Sequence, residues 1–139
     1  MVLGFKTQIN GKPTGFPEKI LAGTKIHSIR AGNRWKPGML IHPATGVRTK
    51  HYKQITAGTL TVISVQDIEI RFNEMFSTVV IIDGLFGYES SMIQDRQVLQ
   101  NLAANDGFDC FEDFAKAFQS IHPGEIFKGQ IIHWTDYRY

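Results

Sequence analysis

The chain has 139 residues, 42% of them hydrophobic, with 15 Lys and Arg against 13 Asp and Glu for a net charge of +2. That fits one folded domain spanning 1–139, large enough to bury a core without disulfides or metals, and it excludes a disordered chain. One cysteine, Cys110, excludes an internal disulfide, no charged-then-apolar leader opens the chain, and the longest apolar run, Val79 to Ile82, is too short for a membrane helix, so the expectation is a cytoplasmic protein without a membrane partner.

From Met1 to Ile9, Leu3, Phe5, Thr7 and Ile9 alternate with Gly4, Lys6 and Gln8, a strand pattern that Asn10-Gly11 ends with a turn pair. A short helix is expected around Pro17 to Ala22, because proline suits a first helical turn and Gly23 is a natural C-terminal cap. It is too short to stand alone and needs Phe16, Ile20 and Leu21 docked on a core. Ile26 to Arg30 reads as a strand in which Ile26 and Ile29 fall on opposite faces, so both faces are partly covered or a bulge lies between them. Ala31 to Gly38 is a loop, and Met39 to His42 a short strand closed by Pro43-Ala44-Thr45-Gly46.

Gly58 to Phe72 forms one bent strand or two joined ones, with Ile68, Ile70 and Phe72 alternating against Asp67, Glu69 and Arg71. Asn73 to Ser77 turns the chain, and Thr78 to Asp83 returns as a buried central strand. The period then changes. Ser91 to Gln94 has capping-box spacing, Val98, Leu99, Leu102 and Ala103 form a helical stripe, and Asn105-Asp106-Gly107 stops it. A further helix is expected from Asp109, capped by that side chain with Glu112 three residues on, with Phe111, Phe114, Ala115 and Phe118 buried and His122-Pro123-Gly124 at its end. Phe127 to Thr135 is the final strand.

Charge is unevenly spread. Between Lys19 and Gln66 there are eight basic residues and no acidic one, whereas Asp67 to Asp113 holds ten of the thirteen acids. One face that attracts phosphates follows, unless folding interleaves the two halves. The densest chemistry lies at Lys25, His27, Ser28 and Arg30, an amine, an imidazole, a hydroxyl and a guanidinium within six residues. A purely structural strand would alternate apolar with bland polar residues, so the working expectation is that this one lines a cleft.

Ser28 and Arg30 lie two apart on one strand face, which suits a shared grip on phosphate or carboxylate. Trp35 between Arg34 and Lys36, and Tyr52 near Arg48 and among Lys50, His51 and Lys53, have the make-up of stacking platforms flanked by phosphate contacts. Trp35 has a second reading, a lid packed on the fold. The five histidines, His27, His42, His51, His122 and His133, show no zinc-site spacing, and no Gly-rich phosphate loop follows a strand. Neither a metal nor a cofactor is expected. Cys110 reads as an inert thiol.

Several short strands around two or three helices point to an α+β protein with a small β-barrel. The ordered set Ile20-Leu21-Ala22-Gly23-Thr24-Lys25-Ile26-His27-Ser28-Ile29-Arg30, Trp35-Lys36-Pro37-Gly38, Asp106-Gly107-Phe108 and Ile131-Ile132-His133-Trp134 resembles the ASCH domain family of PUA-like barrels. The resemblance implies a barrel cleft where the lysine strand meets the Asp-Gly-Phe turn, and recognition of RNA, a nucleotide or a modified nucleoside. Small bacterial members look like amidohydrolases of N-acetylated cytidine, whose motif positions fall here on Lys25, Ser28 and Asp106, with Ser and Asp where those members have Thr and Glu.

As chemistry, Ser28 becomes a nucleophile only if Lys25, its pKa lowered, takes its proton. Residues three apart on a strand face opposite ways, so the two meet only if Lys25 belongs to the loop after Gly23 or the strand is bulged. Asp106 before Gly107 also has a plain structural role available, satisfying backbone groups at a helix end. Three functions therefore stand: a nucleic-acid- or nucleotide-binding domain, a small amidohydrolase of N-acylated cytidine-type nucleosides, and a protein-interaction module using the Trp35 loop.

Overall fold

A strand near the end of the chain ties the elements together. The computed structural model describes residues 1–72, 78–83, 85–89, 93–124 and 126–139, with the backbone alone at 85–89 and 93–95. In chain order the elements are β1 (Val2–Gly4), β2 (Gln8–Ile9), β3 (Lys12–Pro13), α1 (Phe16–Ala22), β4 (His27–Ala31), β5 (Leu40–Thr45), β6 (Lys53–Gln54), β7 (Leu60–Thr61), β8 (Ser64–Phe72), β9 (Thr78–Ile82), β10 (Leu85–Glu89), α2 (Ile93–Asn105), α3 (Phe111–Ile121) and β11 (Ile126–His133). The class is α+β, as the sequence indicated. The described strands form open sheets: five strands in the order β10-β9-β8-β11-β4, four built on β1-β5-β6 with β7 also on β5, and the hairpin β2-β3.

β11 lies between β8 and β4, antiparallel to both. Its alternation explains the layering, because neighbouring residues of a strand point to opposite faces. Ile131 enters a core with Ile29, Ile68, Ile70, Leu102, Phe114 and Phe118, which packs α2 and α3 on one face of the five-stranded sheet. Ile132 enters a second core with Leu3, Phe5, Phe16, Ile20 and Trp35, which packs β1, β5 and α1 on the other. Phe108 touches both cores. Among the described strands β4 pairs only with β11 and is an edge strand, and a gap lies along its free side.

Four expectations are corrected. Met1 to Ile9 is two short strands, because Phe5 is buried and its N–H bonds the Ala44 carbonyl at 2.8 Å before the chain leaves for the hairpin. At the hairpin tip Asn10 (φ 52°) and Gly11 (φ 74°) are both left-handed, the geometry a two-residue hairpin turn requires. β5 runs through Pro43 to Thr45, since Pro43 is used as an acceptor, bonding the Ile55 N–H at 2.8 Å, and its missing donor is not needed. α1 docks through Phe16 and Ile20 alone, with Leu21 65% exposed. α3 begins after Cys110 in extended conformation with no side-chain cap, while Asp109 turns to Lys12 and Lys19.

β4 has both faces covered and a regular register on β11, so no bulge is present. Val98, Leu99, Leu102 and Ala103 face the core side of α2 as expected, Val98 only partly covered. The expected turn at Asn73 to Ser77 and the start of the capping box at Ser91 lie outside the described residues. No helix among the described residues is long and apolar enough to cross a membrane.

Candidate functional site

Two chain reversals bring the site together. α1 ends on Gly23 at φ 78°, and the Thr24 and Lys25 N–H groups turn back on the Lys19 carbonyl at 3.0 and 3.1 Å. That left-handed stop, natural for glycine, delivers Lys25 from a loop just before β4. α2 ends likewise: the Gly107 N–H bonds Ala104 O at 3.0 Å and the Phe108 N–H bonds Ala103 O at 2.8 Å. Gly107 has φ 95°, and a Cβ there would sit 2.9 Å from both Lys25 Cδ and the Phe16 ring. Only glycine lets the Asp106-Gly107-Phe108 turn close over the lysine.

Lys25 is 2% exposed. Its ammonium donates to Asp106 Oδ1 at 3.0 Å, to the His27 carbonyl at 2.9 Å and to the Asp106 carbonyl, which uses all three of its donors. It also lies 4.7 Å from the Phe16 ring centroid and 5.4 Å from that of Phe5. Desolvation lowers the Lys25 pKa, and the Asp106 charge opposes that shift. The ammonium sits on the Asp106 carbonyl just past the end of α2, where a cation is favoured by the helix dipole. Asp106 Oδ1 takes the lysine and faces His27 Nδ1 at 3.4 Å.

Behind this pair lies a buried polar relay. Asn105 Nδ2 donates to the Tyr139 hydroxyl at 3.0 Å, and that hydroxyl is 2.7 Å from His27 Nε2. If the phenol donates onward, the His27 proton falls on Nδ1, which lies 3.4 Å from Asp106 Oδ1 and makes no hydrogen bond there. Burial lowers the His27 pKa and raises that of Tyr139, which keeps the imidazole and the phenol uncharged. The Tyr139 backbone is held by Gln66, whose Oε1 accepts its N–H at 2.9 Å and whose Nε2 donates to its carbonyl at 3.0 Å. His133 Nε2 is 3.0 Å from the same Gln66 oxygen, and burial pushes its imidazole down to about 3.

In front of the pair is a cavity of about 280 Å³ along the free edge of β4. Lys25, Ser28, Arg30 and Asp106 all line it, with Phe5 and Phe16 on one wall and Phe118 on the other. The obstacle between Lys25 and Ser28 is therefore removed by the first of the two routes expected, the loop position of Lys25. The pair is nevertheless not hydrogen-bonded. Ser28 Oγ accepts from Arg30 Nε at 3.1 Å, which confirms their shared strand face. Arg30 also donates to the Gly4 carbonyl and lies 5.2 Å over the Phe5 ring. Burial lowers its pKa, Asp106 opposes this, and Arg34 adds to it.

The other candidates lie elsewhere. Trp35 is 1% exposed in the second core, its backbone clipped by Gln130 through Trp35 N–H to Oε1 at 2.9 Å and Nε2 to the Trp35 carbonyl at 3.1 Å. The stacking platform is corrected to the packed alternative, because the indole has no free face. The same burial withholds it as the anchor of a protein-interaction loop. Arg34 and Lys36 are exposed and do not line the cavity. Arg48, Lys50 and Tyr52 are exposed on the turn between β5 and β6, Lys53 is exposed at the start of β6, and none of them lines it.

Residues that sequence reasoning passed over include Tyr139, Asn105 and Gln66. Among the described residues no group of three or more His, Cys, Asp or Glu side chains is gathered as metal ligands would be. A neighbouring depression holds Lys12, Lys19, Asp109 and Asp113, whose charges are spent on one another. Neither a family model, nor a curated protein, nor a solved structure matches this chain.

Proposed function

We propose that the protein is a binding domain for a nucleoside- or nucleotide-sized ligand, held in the cleft of Lys25, Ser28, Arg30 and Asp106. The observation that carries the reading is the meeting of these four side chains, from two segments far apart in sequence, on one cavity of about 280 Å³ between aromatic walls. That volume is close to the lower end of small-ligand sites, about 300 Å³, and suits one base and sugar better than a stretch of polynucleotide. Phe5 and Phe16 offer apolar surface to a planar ring, and the unspent donors of Arg30, the Ser28 hydroxyl and the Asp106 carboxylate offer hydrogen bonds to its edge. An ASCH-like, PUA-like organisation is part of the proposal, supported by the ordered motifs and by the approach of the lysine loop to the Asp-Gly-Phe turn.

Calorimetric titration of the whole chain with cytidine and with N4-acetylcytidine tests it. Binding that is lost in Phe16→Ala, with the far-ultraviolet spectrum unchanged, is expected. Absence of binding by any nucleoside or nucleotide at low salt would remove the proposal.

Amide hydrolysis is the second reading, favoured because Lys25, Ser28 and Asp106 line the same cavity and desolvation lowers the Lys25 pKa. A neutral Lys25 would take the Ser28 proton as Oγ attacks the acetyl carbonyl and would return it to the departing N4 amine; water then releases acetate and restores the hydroxyl. Release of acetate from N4-acetylcytidine, abolished in Ser28→Ala, is the expected sign. The resting geometry favours binding, since the ammonium spends all three donors and Arg30 occupies Ser28 Oγ.

A further inference from the structure

The cavity has a polar asymmetry that no base or sugar explains. Its floor holds Lys25 and Asp106, which neutralise one another at 3.0 Å. Its more exposed lining includes Lys6, Arg30 and His122. Burial lowers the His122 pKa, and Lys6 and Arg30 add to that shift, so both cations lie near its imidazole. Asp106 is the one carboxylate among the described residues that line the cavity, and Lys25 is its ion-pair partner.

A second depression continues the first. It shares Gly4, Phe5, Lys6 and Arg30 with the cleft and goes on past Thr7 and Gln8 to Gly46 and Val47. Its lining residues carry no acid at all. Arg30 stands in the wall between the two spaces. Of the five N–H donors a guanidinium offers, Nε is given to Ser28 and one Nη2 hydrogen to Gly4 O, so Nη1 and the second Nη2 hydrogen have no partner among the described residues. A partly buried guanidinium with unspent donors, beside a lysine and bordering a depression whose lining carries no acid, is built to receive an anion with several oxygens.

We propose that the ligand is a nucleoside monophosphate, with its base between the aromatic walls and its phosphate at Arg30 and Lys6 where the two depressions join. This rests on the binding reading above and adds the phosphate to it. Two charge-assisted contacts give the nucleotide an advantage of about tenfold or more over its nucleoside. Exposed lysine contributes through a field that salt screens, so the advantage shrinks as salt rises.

The experiment is a calorimetric titration of the whole chain with cytidine, cytidine 5′-monophosphate and inorganic phosphate, at low and high salt, repeated with Lys6→Ala and with Arg30→Lys. The expected result is a monophosphate that binds about tenfold or more tightly than cytidine, an advantage reduced by salt and by Lys6→Ala, and reduced further by Arg30→Lys, which keeps the charge but loses the planar fork. Equal affinity for cytidine and its monophosphate would overturn the phosphate site while leaving the binding reading intact. A nucleotide advantage that survives both substitutions would overturn its location. Inorganic phosphate bound at Arg30 with neither cytidine nor its monophosphate bound would overturn both, leaving only an anion site.

Discussion

Lys25 and Lys50 belong to the same acid-free half of the sequence and end in opposite environments. Lys25 is sealed under the Asp106-Gly107-Phe108 turn with every donor committed, whereas Lys50 stands in solvent on the turn between β5 and β6 beside Arg48, Tyr52 and Lys53. The difference teaches where a charge gains chemical meaning. A buried ion pair has a fixed geometry and a large cost if broken, while an exposed cluster has neither.

Breaking the buried pair has the largest expected effect. Lys25→Ala or Asp106→Ala leaves the other charge without its partner, and urea unfolding is expected to show a loss of about 3–5 kcal/mol. Replacing both together, Lys25→Met with Asp106→Leu, recovers much of that stability while abolishing nucleoside binding, which separates the cost of an orphaned charge from the role in the cleft.

Gly107→Ala comes next. The left-handed backbone and the 2.9 Å approach to Lys25 and Phe16 predict a loss of about 1–3 kcal/mol with a weakened cleft, measured by thermal unfolding and by titration.

The third test is pH. In the folded chain burial holds His133 at about 3 against 6.5 when exposed, with His27 and Arg138 adding to the shift and Asp83 opposing it. Between these values the unfolded chain binds a proton that the folded chain does not. Stability therefore falls as pH drops from about 6.5 toward 3, by up to about 1.4 kcal/mol per pH unit for this group. His27 acts in the same direction. His133→Gln is expected to flatten the slope by up to one proton in urea unfolding followed across that range.

The smallest effect is expected at the exposed turn. Ala at Arg48, Lys50 or Lys53 changes stability by about 0.5 kcal/mol or less, and the triple variant keeps cytidine affinity. A large loss of that affinity would reverse the ranking of the two regions.

Why the sequence showed one region better than the other follows from periodicity and turn chemistry. The stripe of α2, the apolar β9 and the glycine stops at Gly23 and Gly107 are local signals that appear in the structure, and so does the stripe of α3, except that Ala117 is buried and Ala115 only partly covered. Ser28 and Arg30 shared a face because two-residue spacing on a strand dictates it. Trp35 had two readings because its neighbours are cations, and the packed one holds because Leu3, Ile41, Val62 and Ile132, distant in sequence, enclose the indole. Tyr139 gave no signal at all. Its place behind Asp106 depends on Gln66, His27 and Asn105, which only the tertiary fold gathers. Single-sequence reading finds groups that share a local element, and it misses those that meet across layers.

The central claim is that the Lys25–Asp106 cleft, not the basic turn, takes the ligand. Amide chemical-shift mapping of the whole chain during titration with cytidine 5′-monophosphate tests it most directly. The expected result is saturable shifts at residues 25–30 and 106–108, with those at 48–53 unmoved. Shifts confined to 48–53, or none at 25–30 and 106–108 at saturating nucleotide, would contradict it.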